Sequence, residues 1–181
     1  MTDFLIVKDI YNRPESPSPL LPEDATARCF SLRDLSGRPD LTGTDLHTHL
    51  FEANGLETVL ERLCGLDGRG LVGIGYSAGG TALWRAVARG LVLRALICVS
   101  STRLRFETAP SPIPTYTFWG ERDENRPSDD WCQHVPTASK VYPDQEHGFY
   151  QHPYEPAALR LKADIESLLV APELLKPVAQ K

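Results

Sequence analysis

The sequence predicts an α/β fold, a parallel sheet with helices on both faces, and three observations favour this class. Short apolar runs typical of buried strands alternate along the chain with segments whose apolar residues recur at helical spacing. The length of 181 residues suits one domain. With 41% hydrophobic and 24% charged residues, the composition argues against a collagen-like, disordered or disulfide-scaffold protein. We expect a single domain over residues 1–171 and a fraying C-terminal tail over residues 172–181.

The N-terminal third of the chain is predicted to hold two strands separated by loops. Residues 4–7 form a continuous apolar run, which is typical of a strand buried on both faces, and residues 27–32 form a weaker strand. Four prolines between positions 14 and 22 predict a stiff loop and not a helix, because proline fixes φ and lacks an amide donor. This loop could be a plain surface connection or the rim of a binding site. The polar, Gly-rich stretch over residues 36–54 is predicted to be a second loop.

Asn54 is predicted to begin a helix. It is a favoured N-cap residue, and Glu57 three positions later completes a pattern that resembles a capping box. Apolar residues follow at helical spacing on one face, and Gly65 is expected to end the helix.

The rest of the chain continues the alternation. A helix closed by Gly90 and a last helix opened by Pro156 are expected around the remaining strands. The strands are predicted over residues 71–76, 94–99, 115–119 and 139–142. The expected sheet therefore has about six mostly parallel strands, and ligands of such sheets bind beyond the carboxyl ends of the strands.

Charge and cysteine usage narrow the classes of partner and compartment. The net charge of −5 offers no general electrostatic argument for binding nucleic acid or an anionic membrane. No apolar stretch approaches the roughly 18 residues of a membrane span or the apolar core of a signal peptide. We therefore predict a cytoplasmic protein. The four scattered cysteines form no Cys-x-x-Cys pair and predict reduced thiols: Cys29, Cys64, Cys98 and Cys132.

The motif that carries chemistry is Gly-Tyr-Ser-Ala-Gly, centred on Ser77. It lies between a predicted strand and a predicted helix, which is the context that a nucleophile elbow requires. The strained turn would raise the serine hydroxyl above the edge of the sheet. The amide of Ala78 would then lie at a helix N-terminus, where partial positive charge favours an oxyanion.

A base and an acid follow the serine in the order that such a site needs. Asp123 comes just after the fifth predicted strand, in Gly-Glu-Arg-Asp, and His147 follows the sixth, in Glu-His-Gly-Phe. Ser77, Asp123 and His147 are thus expected at one edge of the sheet, where histidine activates the weak serine nucleophile. Asp129, Asp130 and Asp144 compete for the acid role and are interpreted as solvated loop carboxylates. His134 and His152 compete for the base role, but His134 precedes a strand, at the wrong end of the sheet, and His152 lies further into the final connection.

From residue 4 to about residue 169 the chain resembles the α/β-hydrolase superfamily, on the three motifs around Ser77, Asp123 and His147. The resemblance implies a nucleophile, an orienting acid and a general base at these positions, in chain order Ser, acid, His. The small size is similar to the dienelactone-hydrolase branch, whose nucleophile is cysteine, so its substrate is not carried over.

Three departures from the superfamily pattern shape the expectation. The sheet starts without extra antiparallel strands, and the gap over residues 100–114 is too short for a folded cap domain. The His-Gly-Gly-Gly oxyanion motif is missing. By position, the backbone amide of Ile10 or Tyr11 would be the second oxyanion donor.

Two further signals have competing interpretations. In an extended segment, Asp45, His47 and His49 would share one face and could bind a divalent metal, although surface hydrogen bonding is the simpler interpretation. Aromatic side chains near the expected site could line a substrate pocket or belong to the core. These candidate substrate-binding residues are Tyr11, Tyr76, Trp119 and Phe149.

The predicted function is hydrolysis of a small-molecule ester or thioester through an acyl-enzyme at Ser77, with no metal and no cofactor. Two other classes stay open. One is a catalytically inactive binding module of the same fold, and the other is metal-dependent hydrolysis through His47 and His49. A homodimer could form through an edge strand or the last helix.

Overall fold

The computed structural model describes residues 3–11, 20–22 and 25–170. Within these residues the strands form one sheet of six, all parallel, in the order β2-β1-β3-β4-β5-β6. The strands are β1 Asp3–Val7, β2 Thr26–Phe30, β3 Val72–Tyr76, β4 Ala95–Val99, β5 Thr115–Gly120 and β6 Ala138–Tyr142. The predicted parallel sheet of about six strands is confirmed.

Helices connect and cover the strands of the described chain. The α-helices are α1 Leu32–Ser36, α2 Gly43–Glu52, α3 Gly55–Cys64, α4 Ala78–Ala88, α5 Asp129–His134 and α6 Pro156–Leu169. Short 3-10 turns occur at Leu104–Phe106 and Phe149–Gln151. In the described part of the chain, the connection between β4 and β5 contains only the first of these turns, so no cap domain is inserted there.

The two faces of the sheet bury separate apolar layers, because successive strand side chains point in opposite directions. Along β1, Leu5 and Val7 face a layer that includes residues of α1 to α5, whereas Phe4 and Ile6 face a layer that includes residues of α6. Helices therefore lie on both faces, as predicted.

The topology creates a crevice at the carboxyl ends of β1 and β3. The chain leaves β1 for β2 at one edge, returns past β1 to β3, and then continues away through β4, β5 and β6. Ligands of open parallel sheets bind where the strand order changes direction in this way. The loop after β1 and the start of α4 meet at this crevice.

The prediction of a loop over residues 36–54 is wrong, because this region contains the whole of α2. The start of α3 is also built differently from the prediction. Asn54 precedes the helix with a left-handed φ of 62° and makes no side-chain capping bond. Glu57 instead forms an ion pair with Arg89 at 2.6 Å. The helix itself and its end before Gly65 are confirmed.

Some predictions concern residues that lie outside the described chain. These are the prolines at 14, 17 and 19 of the predicted stiff loop and the tail over residues 172–181. Among the described residues, no helix has both the length and the apolar character needed to cross a membrane.

Candidate active site

Ser77 occupies a sharp turn between β3 and α4. Its φ of 50° and ψ of −123° lie outside the regions that most residues adopt. Such strain persists only where the surroundings impose it, and here the Ser77 amide donates to the carbonyl of Val99 over 2.9 Å. The turn holds the serine at the carboxyl edge of the sheet, as the motif predicts.

The glycines on either side of Ser77 let α4 approach the sheet closely. A Cβ atom at Gly75 would lie 2.5 Å from the amide nitrogen of Gly80, and one at Gly79 would lie 2.5 Å from the carbonyl oxygen of Lys8. Any other residue would force the first turn of α4 away from β3 and from the end of β1. The helix N-terminus is therefore held beside the loop that follows β1.

Ser77, His147 and Asp123 form a continuous chain of hydrogen bonds. The Ser77 Oγ atom lies 3.0 Å from Nε2 of His147, and Nδ1 of His147 lies 2.8 Å from Oδ2 of Asp123. A carboxylate only accepts hydrogen bonds, so Nδ1 of His147 donates to it and Nε2 is left to accept from the serine hydroxyl. The Asp123 side chain is fully buried, whereas the His147 side chain is 32% exposed.

Backbone contacts fix the loops that carry the acid and the histidine. The amide of Arg122 donates to the carbonyl of Gln145 over 2.8 Å. A Cβ atom at Gly120 would lie 2.7 Å from the carbonyl oxygen of Glu146, so the two loops pack without a side chain between them. The second carboxylate oxygen of Asp123 accepts the amide of Asn125 over 2.8 Å. The orientation of Asp123 is thus set on both sides.

The competing carboxylates and histidines lie away from Ser77. Asp129 pairs with Arg126, and Asp144 pairs with Arg122 on the surface. His134 bonds to Asp130 within α5, and His152 is exposed. The structure brings together the three predicted residues and none of these alternatives.

Two backbone amides in the loop after β1 are predicted as oxyanion donors, and they differ in whether another group already accepts a hydrogen bond from them. The amide of Tyr11 donates to Oδ1 of Asp9 over 3.0 Å, so it is occupied. Among the described residues, the amide of Ile10 has no acceptor, while its carbonyl accepts the amide of Gly43 over 3.0 Å. Of the two candidates in this loop, Ile10 is therefore the one whose amide has no acceptor in the described chain, and Ala78 begins α4, where helix amides have no partner within the helix.

A cavity of about 430 Å³ opens at Ser77. This volume lies within the range of about 300–1,000 Å³ that is typical of small-molecule sites. Ile10, Tyr11, Ala78 and His147 line it together with residues that no sequence motif marks: His47, Thr102, Arg103, Arg105, Phe106 and Asn125.

Three of the four predicted substrate-binding aromatics do not line this cavity. Tyr76 stacks on Tyr150 at 5.1 Å in the layer under α6, and Phe149 lies in the same layer. Trp119 is fully buried on the opposite face, at 6.3 Å from the ring of Trp131. Tyr76 and Trp119 fall inside strands rather than after them, so their side chains point into the faces of the sheet. Tyr11 alone has the predicted place.

The alternative metal site at His47 and His49 rested on an extended segment, and this segment is the helix α2. Alternate residues of a helix do not share a face. Within the described chain, no group of three or more histidine, cysteine or acidic side chains could hold a metal ion. His47 instead lies at the cavity with its ring 4.9 Å from Phe51.

Positive charge is the feature of the cavity that motif reasoning missed. Arg103 and Arg105 both line it, after the carboxyl end of β4. Burial lowers the pKa of His47, and the charge of Arg103 lowers it further. The rule that ligands bind beyond strand ends could have pointed to this loop. No motif marks it, because its arginines are positioned by residues distant in the sequence.

Comparison with known proteins gives a fold but no close relative. Models of protein families give no match to this chain, and neither do curated proteins. Similar solved structures include a candidate hydrolase of the alpha/beta superfamily from Xanthomonas campestris pv. campestris. It is 18% identical at a TM-score of 0.64, over 93% of this chain and 99% of that one.

Two further structures have the same architecture. A candidate dienelactone hydrolase from Klebsiella pneumoniae subsp. pneumoniae is 18% identical at a TM-score of 0.61, over 92% of this chain and 85% of that one. The RedJ thioesterase of the prodiginine biosynthetic pathway in Streptomyces coelicolor is 14% identical at a TM-score of 0.60, over 92% and 89%. The chain therefore has the α/β-hydrolase fold, and the predicted resemblance is confirmed at the level of fold.

Proposed function

We propose that this protein is a serine hydrolase that cleaves a small-molecule ester or thioester through an acyl-enzyme. The observation that carries the proposal is the hydrogen-bond chain from Ser77 through His147 to Asp123, at 3.0 and 2.8 Å. A serine hydroxyl becomes a useful nucleophile only beside a positioned base. His147 is that base in the hydrogen-bond chain, and the buried carboxylate of Asp123 orients it.

In the acylation step, Oγ of Ser77 attacks the carbonyl carbon of the substrate as Nε2 of His147 takes the hydroxyl proton. The new carbon–oxygen bond produces a tetrahedral oxyanion, which the amides of Ala78 and Ile10 would bind. The oxyanion then collapses, the bond to the leaving group breaks, and His147 gives its proton to the departing alcohol or thiol. Asp123 stabilises the imidazolium while His147 carries the proton.

In the deacylation step, water attacks the acyl-enzyme and His147 takes its proton. Collapse of the second oxyanion breaks the bond to Ser77, which recovers its proton, and the carboxylic acid leaves. Each turnover consumes one water molecule and needs no cofactor.

The size of the cavity favours a small ester or thioester over a larger one. The cavity of about 430 Å³ accommodates a small acyl compound. In the described residues no cap inserts after β4 to cover the site. A thioesterase and a candidate dienelactone hydrolase are among the proteins of similar structure, which supports the same class of chemistry.

A fluorophosphonate probe tests the activated serine directly, because it reacts with the nucleophile of serine hydrolases. We expect labelling of the wild type and none of Ser77→Ala or His147→Ala. The matched controls are Ser167→Ala on the surface of α6 and His152→Ala, which is exposed, and both should label at the wild-type rate.

A folded wild type that resists the probe and hydrolyses no short-chain ester or thioester would contradict the proposal. It would favour a binding module of the same fold. Hydrolysis that a chelator abolishes, and that survives in Ser77→Ala, would instead favour metal-dependent chemistry.

A further inference from the structure

We propose that the substrate carries an anionic group, a carboxylate or a phosphate, which Arg103 and Arg105 bind inside the Ser77 cavity. This inference rests on the proposed function and narrows its substrate class. Both arginines line the same cavity as Ser77 and His147. They would hold the charged end of the substrate while its carbonyl group lies at the serine.

The charge of the cavity contrasts with that of the chain. The protein has a net charge of −5, yet no aspartate or glutamate of the described chain lines the cavity, and Asp123 is buried behind His147. Among the described residues, neither Arg103 nor Arg105 forms an ion pair. Six other arginines do pair with carboxylates: Arg38, Arg69, Arg85, Arg89, Arg122 and Arg126.

Neutral groups hold both guanidinium groups in place and leave their charge uncompensated. The guanidinium of Arg103 lies over the ring of Phe51, 4.4 Å from its centroid. The guanidinium of Arg105 donates to Oδ1 of Asn125 over 2.9 Å and lies 4.6 Å from the centroid of Phe106. An aromatic ring and an amide orient a guanidinium without neutralising it, so both arginines keep their attraction for an anion.

The loop that carries the arginines is anchored at both ends. Leu104, between them, is fully buried. The hydroxyl of Thr81 donates to the carbonyl of Thr102, and the indole of Trp131 donates to the carbonyl of Glu107 over 2.6 Å. An anion that binds here would order little new structure, and preorganisation of this kind improves affinity.

Guanidinium chemistry sets the class of ligand. The planar fork of an arginine matches the two oxygens of a carboxylate or phosphate, and charge-assisted hydrogen bonds of this kind are stronger than neutral ones. The volume of about 430 Å³ leaves room for a reactive ester and one charged end separated by a short chain. The half-ester of a short dicarboxylic acid has this form, with the charge on the acyl side. An ester of an acidic alcohol places the charge on the leaving group instead.

The test compares matched esters in the intact protein. p-Nitrophenyl butyrate is the neutral reference, mono-p-nitrophenyl glutarate places a carboxylate on the acyl side, and 4-carboxyphenyl butyrate places it on the leaving group. The measured quantity is the ratio of kcat/KM for an anionic ester to that for the neutral ester. Each variant is compared with the wild type, so differences in intrinsic reactivity cancel.

We expect Arg103→Gln and Arg105→Gln each to lower this ratio by about 10- to 100-fold for one of the two anionic esters. The ester that responds tells which side of the substrate carries the charge. The matched control is Arg69→Gln, since Arg69 is paired with Asp67 on the surface. Its ratio should equal that of the wild type. Ratios that stay unchanged in Arg103→Gln and Arg105→Gln for both anionic esters would overturn the inference and leave the proposed function intact.

A binding measurement separates failure of this inference from failure of the proposed function. If the protein hydrolyses no ester, glutarate or inorganic phosphate is titrated into Ser77→Ala while the ring signals of His47 are followed by NMR. A saturable shift that disappears when Arg103→Gln and Arg105→Gln are both added to Ser77→Ala supports the anion site independently of turnover. No saturable shift overturns it.

Discussion

The carboxylate of Asp9 accepts a hydrogen bond from the hydroxyl of Tyr150 over 3.1 Å, although the two residues are 141 positions apart. Asp9 lies in the loop after β1, next to the candidate oxyanion amide of Ile10. Tyr150 lies in the turn that follows His147. The same carboxylate oxygen accepts from the side chain of Gln151 over 3.2 Å. Asp9 therefore ties the loop expected to bind the oxyanion to the loop that carries the base.

Tyr150→Phe tests this tie, because it removes the donor and keeps the ring stacked on Tyr76. Loss of a hydrogen bond to a charged group should lower the free energy of unfolding by about 1.5–3 kcal/mol, measured by urea denaturation. Loosening of the Asp9 loop should also slow fluorophosphonate labelling, by up to about 100-fold, the lower end of what loss of an oxyanion donor costs.

The control for this variant is Tyr154→Phe. Tyr154 is 89% exposed and close in sequence, so the same chemical change there should leave stability and labelling unaltered. Burial raises the pKa of Tyr150 well above its usual value, and the charge of Asp9 raises it further. Tyr150 therefore stays a donor through neutral and mildly alkaline pH. A Tyr150→Phe protein as stable and as reactive as the wild type would show that the hydrogen bond from Tyr150 to Asp9 contributes nothing to stability or to the site.

Asp123→Asn tests the orientation of His147. An amide can donate to Nδ1 of His147, which favours the tautomer that carries its proton on Nε2, and this tautomer cannot accept from Ser77. By analogy with the same change in a serine protease, kcat for a short-chain ester should fall by about 10⁴-fold. Asp129→Asn alters a carboxylate that is 78% exposed and should keep wild-type kcat. Activity within a few-fold of wild type in Asp123→Asn would mean that Asp123 does not orient the base.

Substitution of Gly79, the glycine at the start of α4, is expected to lower stability. A Cβ atom at Gly79 would lie 2.5 Å from the carbonyl oxygen of Lys8, and this oxygen belongs to the backbone, which cannot easily move aside. Gly79→Ala should cost about 1–3 kcal/mol of unfolding free energy or more, since overpacking displaces α4. Denaturant titration with circular dichroism measures the loss.

Gly65→Ala is the contrasting substitution. Gly65 follows α3 with a φ of −77°, and the nearest atom to an added Cβ lies 3.5 Å away, an ordinary contact. Alanine fits this conformation and reduces the entropy of the unfolded chain, so stability should rise by about 0.4–1 kcal/mol. Equal effects at the two glycines would contradict the close approach of α4 to β1.

The placement of Ser77, Asp123 and His147 could be predicted because it follows from topology. Each comes after the carboxyl end of a different strand, and parallel strands bring those ends to one edge of the sheet. The same rule explains the error over Tyr76 and Trp119. Both are close in sequence to the site, but the side chain of a residue inside a strand points into a face of the sheet.

The parts of the site that could not be predicted depend on contacts between distant residues. Arg103 is held by Phe51 and Arg105 by Asn125, and neither pairing leaves a local pattern. The tie from Asp9 to Tyr150 is equally hidden. The helix α2 was missed because its polar residues and flanking glycines are those of a loop. Leu46 and Leu50 supply its buried side.

The last prediction concerns the electrostatic environment of His47, whose ring lies at the cavity beside Phe51. Burial disfavours the imidazolium and lowers the pKa of His47, the charge of Arg103 lowers it further, and Glu52 opposes both. A histidine with a depressed pKa binds protons more readily in the unfolded chain. Stability is therefore lost as the pH falls below the value of a free imidazole, about 6.5.

Arg103→Gln removes one of the two causes, so the pKa of His47 should rise while burial keeps it below that of a free imidazole. The loss of stability at acid pH should shrink accordingly. NMR titration of the His47 ring measures the first effect, and urea denaturation at several pH values measures the second. Arg122→Gln, at an exposed position in the loop that carries Asp123 and outside the cavity, should change neither. An unchanged pKa of His47 in Arg103→Gln would mean that solvent screens the guanidinium.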